Sequence, residues 1–448
     1  QTSGLWLGLK TELASSNGDI VVAGRGSQSA SAVSAEKGLW TDTITVNSGT
    51  GKIGMFGKAT STAFGFSYAW YVIGGTAGAD GAVITSASTQ PDAITILGDA
   101  SATTGTSSAG ILTFSGKNGT TETGVKIAAT GVGGGVTMVG SSGSAAPAAN
   151  GDAVGNGVEL NYTEVLANGG PIYVEGKTNN ATKAGISLGS RTSVTNNKIY
   201  FGARPSNPTG VTAMVSTSSS PITLVADMIY QNTASPSEFA TTGDILVKPL
   251  NNDFAGTFNN LGMNMGTTAS SITFGKDGNT GGITIGQSLT AGSITIKGGV
   301  VTASTALLTN SIVPRAGPIN IIATSSYTQN STATTALDSD ILITTDTLSI
   351  GASSALKVGL PTGANLAAQN TAAIGAIEIK NFNSARPVRI GAAVSGMLSV
   401  AAADFAKLQA KFLRIGSATA GPVVINDLIT RKADATGTTA ELKTLKIL

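Results

Sequence analysis

The sequence predicts an all-β protein, a parallel β-helix whose short strands stack coil upon coil with Gly/Asn-rich turns and a few protruding loops. Three observations predict it. Near-identical triplets, Ile272-Thr273-Phe274, Ile283-Thr284-Ile285 and Ile294-Thr295-Ile296, begin 11 residues apart. A longer unit repeats near the start, where Gly4-Leu5-Trp6 is matched by Gly38-Leu39-Trp40 and Ile20 by Ile53. Gly or Asn closes nearly every strand-like segment, and Gly numbers 59 in 448 residues. A strand of about four residues cannot bury its apolar face alone, whereas stacked copies can.

The elements follow in order. Gly4-Leu5-Trp6-Leu7 leads to Gly18-Asp19-Ile20-Val21-Val22-Ala23-Gly24, and Gly38-Leu39-Trp40 leads to Gly51-Lys52-Ile53. A degenerate third copy runs from Ala69-Trp70-Tyr71-Val72 to Ala93-Ile94-Thr95-Ile96. Each unit therefore holds at least two strands separated by turn residues such as Asn17-Gly18. The pattern continues through Ile111 and Val125, pauses in a small polar stretch, and resumes at Gly157-Val158 and Gly185-Ile186, 28 residues apart, with Ile172 and Ile199 as second strands 27 apart. Two steps of 11 residues make one coil of about 22, and longer units are coils carrying loop excursions. The prediction is one continuous solenoid over 1–448, with excursions near 140–156 and 204–220. A short helical insertion is expected near 401–411, where helix formers run without Gly or Pro.

Composition narrows the chemistry. Apolar residues make up 41% and net charge is only +2, which argues against disorder. There is no Cys and no His, so disulfides, thiol catalysis, thiolate metal sites and Ser-His-Asp triads are excluded. Lys and Arg are scattered rather than striped, giving no footprint for nucleic acid. No run of 18 apolar residues exists, so no membrane-spanning helix is expected.

The alternation of Gly-Leu-Trp-Leu-type with Gly-Asp-Ile-Val-Val-Ala-Gly-type strands resembles the passenger regions of large filamentous-haemagglutinin-like exoproteins, which are adhesins. The segment 398–425 is similar to a recurrent motif of the same proteins, through Leu408-Gln409, Phe412, Leu413-Arg414-Ile415-Gly416 and Gly421-Pro422-Val423-Val424-Ile425. The resemblance spans most of the chain. It implies a right-handed parallel β-helix, secreted and displayed at the cell surface as an extended fibre. The Asn-Pro-type secretion cap of such exoproteins has no counterpart near Gln1, so the expectation is a fragment of a longer fibre or a subunit that assembles end to end.

Each candidate site has a structural role that competes with it. Asp338, Asp340 and Asp346 are the densest acidic group, yet no basic residue follows until Lys357, and Asp beside short strands normally bonds its own turn. The run from Gly74 to Asp80 misses the spacing of calcium-binding repeats. Gly24-Arg25-Gly26 is followed by no helix, so its glycines are assigned to corners needing positive φ rather than to a phosphate cradle. Phe64, Phe66, Tyr68 and Trp70 alternate with small residues and place four rings on one strand face, a candidate sugar-stacking surface or a packing cluster. Trp6 and Trp40 occupy equivalent repeat positions and are expected to stack as rungs. Outward Thr rows suggest ice binding, but outward Lys126, Glu175, Glu378, Arg389 and Arg414 break any flat hydroxyl lattice. Asn118, Asn161, Asn180 and Asn330 lie in glycosylation sequons and are candidate glycan attachment points.

No catalytic residue, cofactor or metal site is expected. The functional expectation is a non-enzymatic extracellular structural or adhesive protein, with itself, surface glycans or a host-surface ligand as partners. Two alternatives remain open at this level: a carbohydrate-active β-helix enzyme using the acidic group, and a pilus-like β-sandwich subunit joined by donated strands.

Overall fold

The computed structural model describes residues 2–26, 36–62, 66–74, 81–104, 107–115, 117–118, 121–122, 124–143, 155–189, 197–204, 215–309, 317–330, 333–336, 339–358, 375–392, 394–405, 407–410, 412–417, 419–425 and 444–447. They form stacks of parallel strands, the arrangement of a parallel β-helix. The chain divides into two compact units, one of Gln1–Asn251 with Gly262–Gly266, the other of Asn252–Leu261 with Thr267–Leu448.

In the first unit each coil contributes a strand to each of three sheets. Sheet A begins with Thr2–Leu7, Glu36–Asp42, Phe66–Gly74 and Ser107–Ser115, and sheet B with Glu12–Ala14, Thr45–Asn47, Val83–Ser86 and Val125–Ala129. Sheet C stacks Ile20–Arg25, Ile53–Lys58, Ile94–Ala100, Val136–Ser142, Ile172–Thr178, Ile222–Val225 and Asp244–Lys248. Period-2 alternation sends Ile53, Ile94, Val136, Ile172 and Ile222 inward, one above another in exact register and no more than 1% exposed. Met55, Ile96, Met138, Val174 and Leu224 form a second buried column beside them.

The repeat pairs Leu5 with Leu39 and Ile20 with Ile53, matching the sequence spacings. The coil of this unit has three strands, consistent with the expected minimum of two, and the third corrects one equivalence. Val158 does pair with Ile186, but Ile172 belongs to sheet C and Ile199 to sheet B, where Ile199 pairs with Thr163. Strand Thr163–Ala167 is the element that two-strand counting passed over.

The glycines of Ile-Val-Val-Ala-Gly type have a role other than the corners expected of them. Gly24, Gly57, Gly98, Gly140 and Gly176 lie in one register column of sheet C. There sheet C meets sheet A backbone to backbone: a Cβ on Gly57 would lie 2.0 Å from the Ala69 oxygen, and one on Gly176 2.0 Å from the Gly185 oxygen. The need is close approach, not left-handed φ. On the sheet A side the register skips Gly4, Gly38, Ala69 and Gly110.

The second unit carries the 11-residue repeat. Ile272, Ile294, Ile319, Ile341, Ile377, Leu413 and Leu445 occupy one register column, and Phe274, Ile296, Ile321, Ile343, Ile379, Ile415 and Ile447 the next. Ile283, midway in sequence between Ile272 and Ile294, pairs instead with Val301, so two steps of 11 residues do complete one coil. Within 401–411, residues Ala402–Phe405 form one helical turn and Leu408–Gln409 a strand.

Acidic residues at corners join neighbouring coils. Asp19 Oδ1 accepts the Lys52 N–H at 2.7 Å, Asp227 that of Asn251 at 2.7 Å, and Asp340 that of Ala376 at 2.7 Å. Asp253 accepts the N–H groups of Thr280 and Gly281, and those bonds hold its carboxyl below the usual range. Of the expected excursions, 140–142 belongs to strand Val136–Ser142, while 144–154 and 205–214 lie outside the described residues.

Candidate functional site

A cluster of aromatic and charged side chains lies on the outer face of sheet A. Register stacks Trp6 on Trp40, then Tyr71, then Leu112. Trp6 and Trp40 are stacked at 5.3 Å between centroids with their planes 25° apart, and Trp40 tilts against Tyr71 at 6.4 Å. Identical repeat positions thus produce the expected ladder. Lys37 lies across it, its Nζ 3.3 Å from the Trp40 centroid and 4.6 Å from that of Tyr71. Burial pushes the Lys37 ammonium down to about 8, opposed by the nearby Asp42 carboxylate.

The four rings expected on one face do not share it. Phe64 lies outside the described residues. Because the sheet A register skips Ala69, the alternation of faces resets there. Trp70 therefore points inward, fully buried in line with Leu39 and Ile111. Tyr68 stays outside, stacked on Tyr71 at 5.2 Å and packed against Ala109 and Leu112. Phe66 remains 40% exposed and tilts against Tyr68. The strand is a packing cluster with one exposed ring at its edge. Lys37 was missed by sequence reasoning, although Lys37 and Trp40 share the three-residue spacing of Tyr68 and Tyr71, the available signal.

The acidic group is engaged in structure. Asp338 lies outside the described residues. Asp340 holds the Ala376 N–H, and the buried Asp346 accepts the Asn383 N–H at 3.0 Å and faces Arg386 Nε at 3.4 Å. Among the described residues no group of three or more acidic side chains is placed to hold a metal ion. A second ion pair, Glu164 with Arg204, is buried on the outer side of sheet B beneath Tyr200. Its neighbour Val215 packs on Ala128 and Leu166, and the Arg204 N–H bonds the Val215 carbonyl at 2.9 Å.

The sequons separate sharply. Asn161 is fully buried: its amide donates to the Thr113 carbonyl and Glu159, and its Oδ1 accepts from Asn197. A glycan there is incompatible with this fold, and the sequon is a structural asparagine. Asn118 lies in the hairpin strand Lys117–Asn118. Asn180 is half-buried, with Oδ1 accepting from both the N–H and the hydroxyl of Thr182. Asn330 is exposed, its backbone N–H bonded to the Ala303 carbonyl.

Set against models of known protein families, curated proteins and solved structures, the chain matches none of them.

Proposed function

We propose that this chain is a structural or adhesive fibre element of the cell exterior, a secreted β-helix that continues or assembles end to end into a surface filament. The observation that carries the proposal is how the polar chemistry is used. Asp19, Asp227, Asp253, Asp340 and Asp346 each bind a backbone N–H of the following coil. Side chains that a catalytic site would need free instead lock coil to coil, which favours a mechanical role over a carbohydrate-active enzyme. A pilus-like sandwich is set aside because its sheets would be antiparallel, whereas the ladders that stack coil on coil here are parallel. The resemblance to filamentous-haemagglutinin-like exoproteins points the same way.

Electron microscopy with fibre diffraction of the purified protein tests the reading. Filaments with an axial spacing near 4.8 Å, about one strand separation, are expected. Uniformly monomeric particles at all concentrations would overturn the filament.

A further inference from the structure

The outer face of sheet C in the first unit is lined in a way that core packing does not require. Two columns point outward across successive strands. One runs Val21, Gly54, Thr95, Thr137, Tyr173, and the other Ala23, Phe56, Leu97, Val139, Glu175. The Phe56 ring lies down over Gly54, so that a Cβ there would meet Phe56 Cε2 at 2.7 Å. Val21 is 68% and Leu97 38% exposed. Tyr173 ends the strip, its hydroxyl donating to Glu175. Phe56 and Tyr173 are three strands apart, about 14 Å. A third outward column beyond these runs Arg25, Lys58, Asp99, Ser141, Lys177, and Ser141 bonds Asp99 at 3.2 Å.

Size and charge choose the occupant. Two residue columns plus the third over five strands cover about 13 by 19 Å, roughly 250 Å², against the ~800 Å² per partner of a stable protein interface. Arg25, Lys58, Lys177, Asp99 and Glu175 lie within these columns and Lys52, Asp19 and Asp92 beside them, so positive and negative side chains balance, with Lys52–Asp92 and Lys58–Asp99 directly paired. A narrow uncharged chain fits such a face better than a second copy or a polyanion.

We propose that this face docks a neutral, extended polysaccharide running across the strands, its pyranose rings stacked on Phe56 and Tyr173 and its hydroxyls bonded by Thr95, Thr137 and Ser141. An extended β-linked pyranose chain rises per sugar by a distance close to the strand spacing, so successive rings meet successive rungs. The inference rests on the adhesive reading above and names the ligand class of that adhesion.

The test is retention of the full chain on microcrystalline cellulose, chitin and xylan, with alginate as the charged comparator. Retention on at least one neutral polymer is expected, falling about tenfold in Phe56→Leu and in Tyr173→Ala, with melting temperatures unchanged. Phe56→Leu keeps apolar cover over Gly54, so folding is preserved while the ring is lost. Thr273→Ala, in the second unit, should bind as the parent does. Absence of retention on every neutral polymer, retention indifferent to both substitutions, or salt-sensitive preference for alginate would each overturn the proposal. So would a dimer that Phe56→Leu dissociates. Filaments that form yet bind no polymer would sink this inference alone and leave the fibre standing.

Discussion

A methyl group on Gly98 would sit 2.0 Å from the carbonyl oxygen of Gly110. The two glycines bring sheets C and A together with no side chain between them, and the contact recurs coil after coil along the glycine column. Gly98→Ala must push backbone against backbone, so a loss of about 3 kcal/mol or more is expected. Gly278 is the control. Its φ is +81° but an added Cβ meets nothing within 4 Å, so Gly278→Ala should cost only about 1–2 kcal/mol of left-handed strain. Urea unfolding midpoints of the two variants distinguish them, and equal losses would contradict the close-approach role.

The isoleucine column sets a second scale. Ile294 is fully buried between Ile272 and Ile319. Ile294→Ala leaves a cavity that flanking rungs cannot fill without losing register, and a cost of about 3–5 kcal/mol is expected. Thr295→Ala, one residue on and facing outward, should change stability by less than about 0.5 kcal/mol. Comparable effects from the two would mean that the strand faces are reversed.

Much of this fold was legible because each rung repeats its neighbour: Leu5 to Leu39, Ile20 to Ile53 and Ile272 to Ile294 are all observed partners. What was not legible depends on the third dimension. Gly98 reads in sequence as a turn residue, and only the approach of Gly110 reveals its role. Phe66, Tyr68 and Trp70 alternate correctly for one face, but the register skip at Ala69 turns Trp70 inward. Asn161 carries a sequon indistinguishable from that of Asn330 until burial is known. Local pattern predicts strands and their stacking, while the use of a face depends on what the other sheets bring to it.

Lys37 gives the stability an alkaline dependence. Its ammonium is lowered by burial from 10.5 to about 8, so between pH 8 and 10.5 the unfolded chain holds a proton that the folded chain has released. Stability therefore rises with pH through that window. Below pH 8 the buried charge costs up to about 3 kcal/mol, offset in part by contacts with Trp40 and Tyr71. Lys37→Met fills similar space without a charge, and should raise the melting temperature at pH 7 while flattening the rise from pH 8 to 10. A variant less stable than the parent at pH 7 would show that the cation–π contacts outweigh desolvation.

Burial predicts which sequons accept sugar after folding. Incubation of the folded chain with a sequon-modifying oligosaccharyltransferase, followed by peptide mapping, should find Asn330 modified and Asn161 not. Asn161→Gln should cost about 1–3 kcal/mol, because the longer side chain cannot keep its bonds to Thr113, Glu159 and Asn197 in the same space. Modification at Asn161, or a neutral substitution, would contradict its buried position.

Acid should weaken the first unit through Asp99. Partial burial pushes this carboxyl up, but the Ser101 and Lys58 hydrogen bonds, with the Lys58 charge, outweigh burial and hold it at about 2. A folded value below the unfolded one of 3.8 means that the stabilisation is complete above about pH 4 and is lost as pH falls toward 2. The side chain is 43% exposed, so solvent screening limits the contribution to about 1 kcal/mol or less. Asp99→Asn should accordingly be slightly less stable than the parent at pH 7 and converge with it near pH 2. Lys58→Met should show the same convergence, since it removes the opposing charge. Parallel pH profiles for parent and variants would mean that Asp99 carries no linked proton.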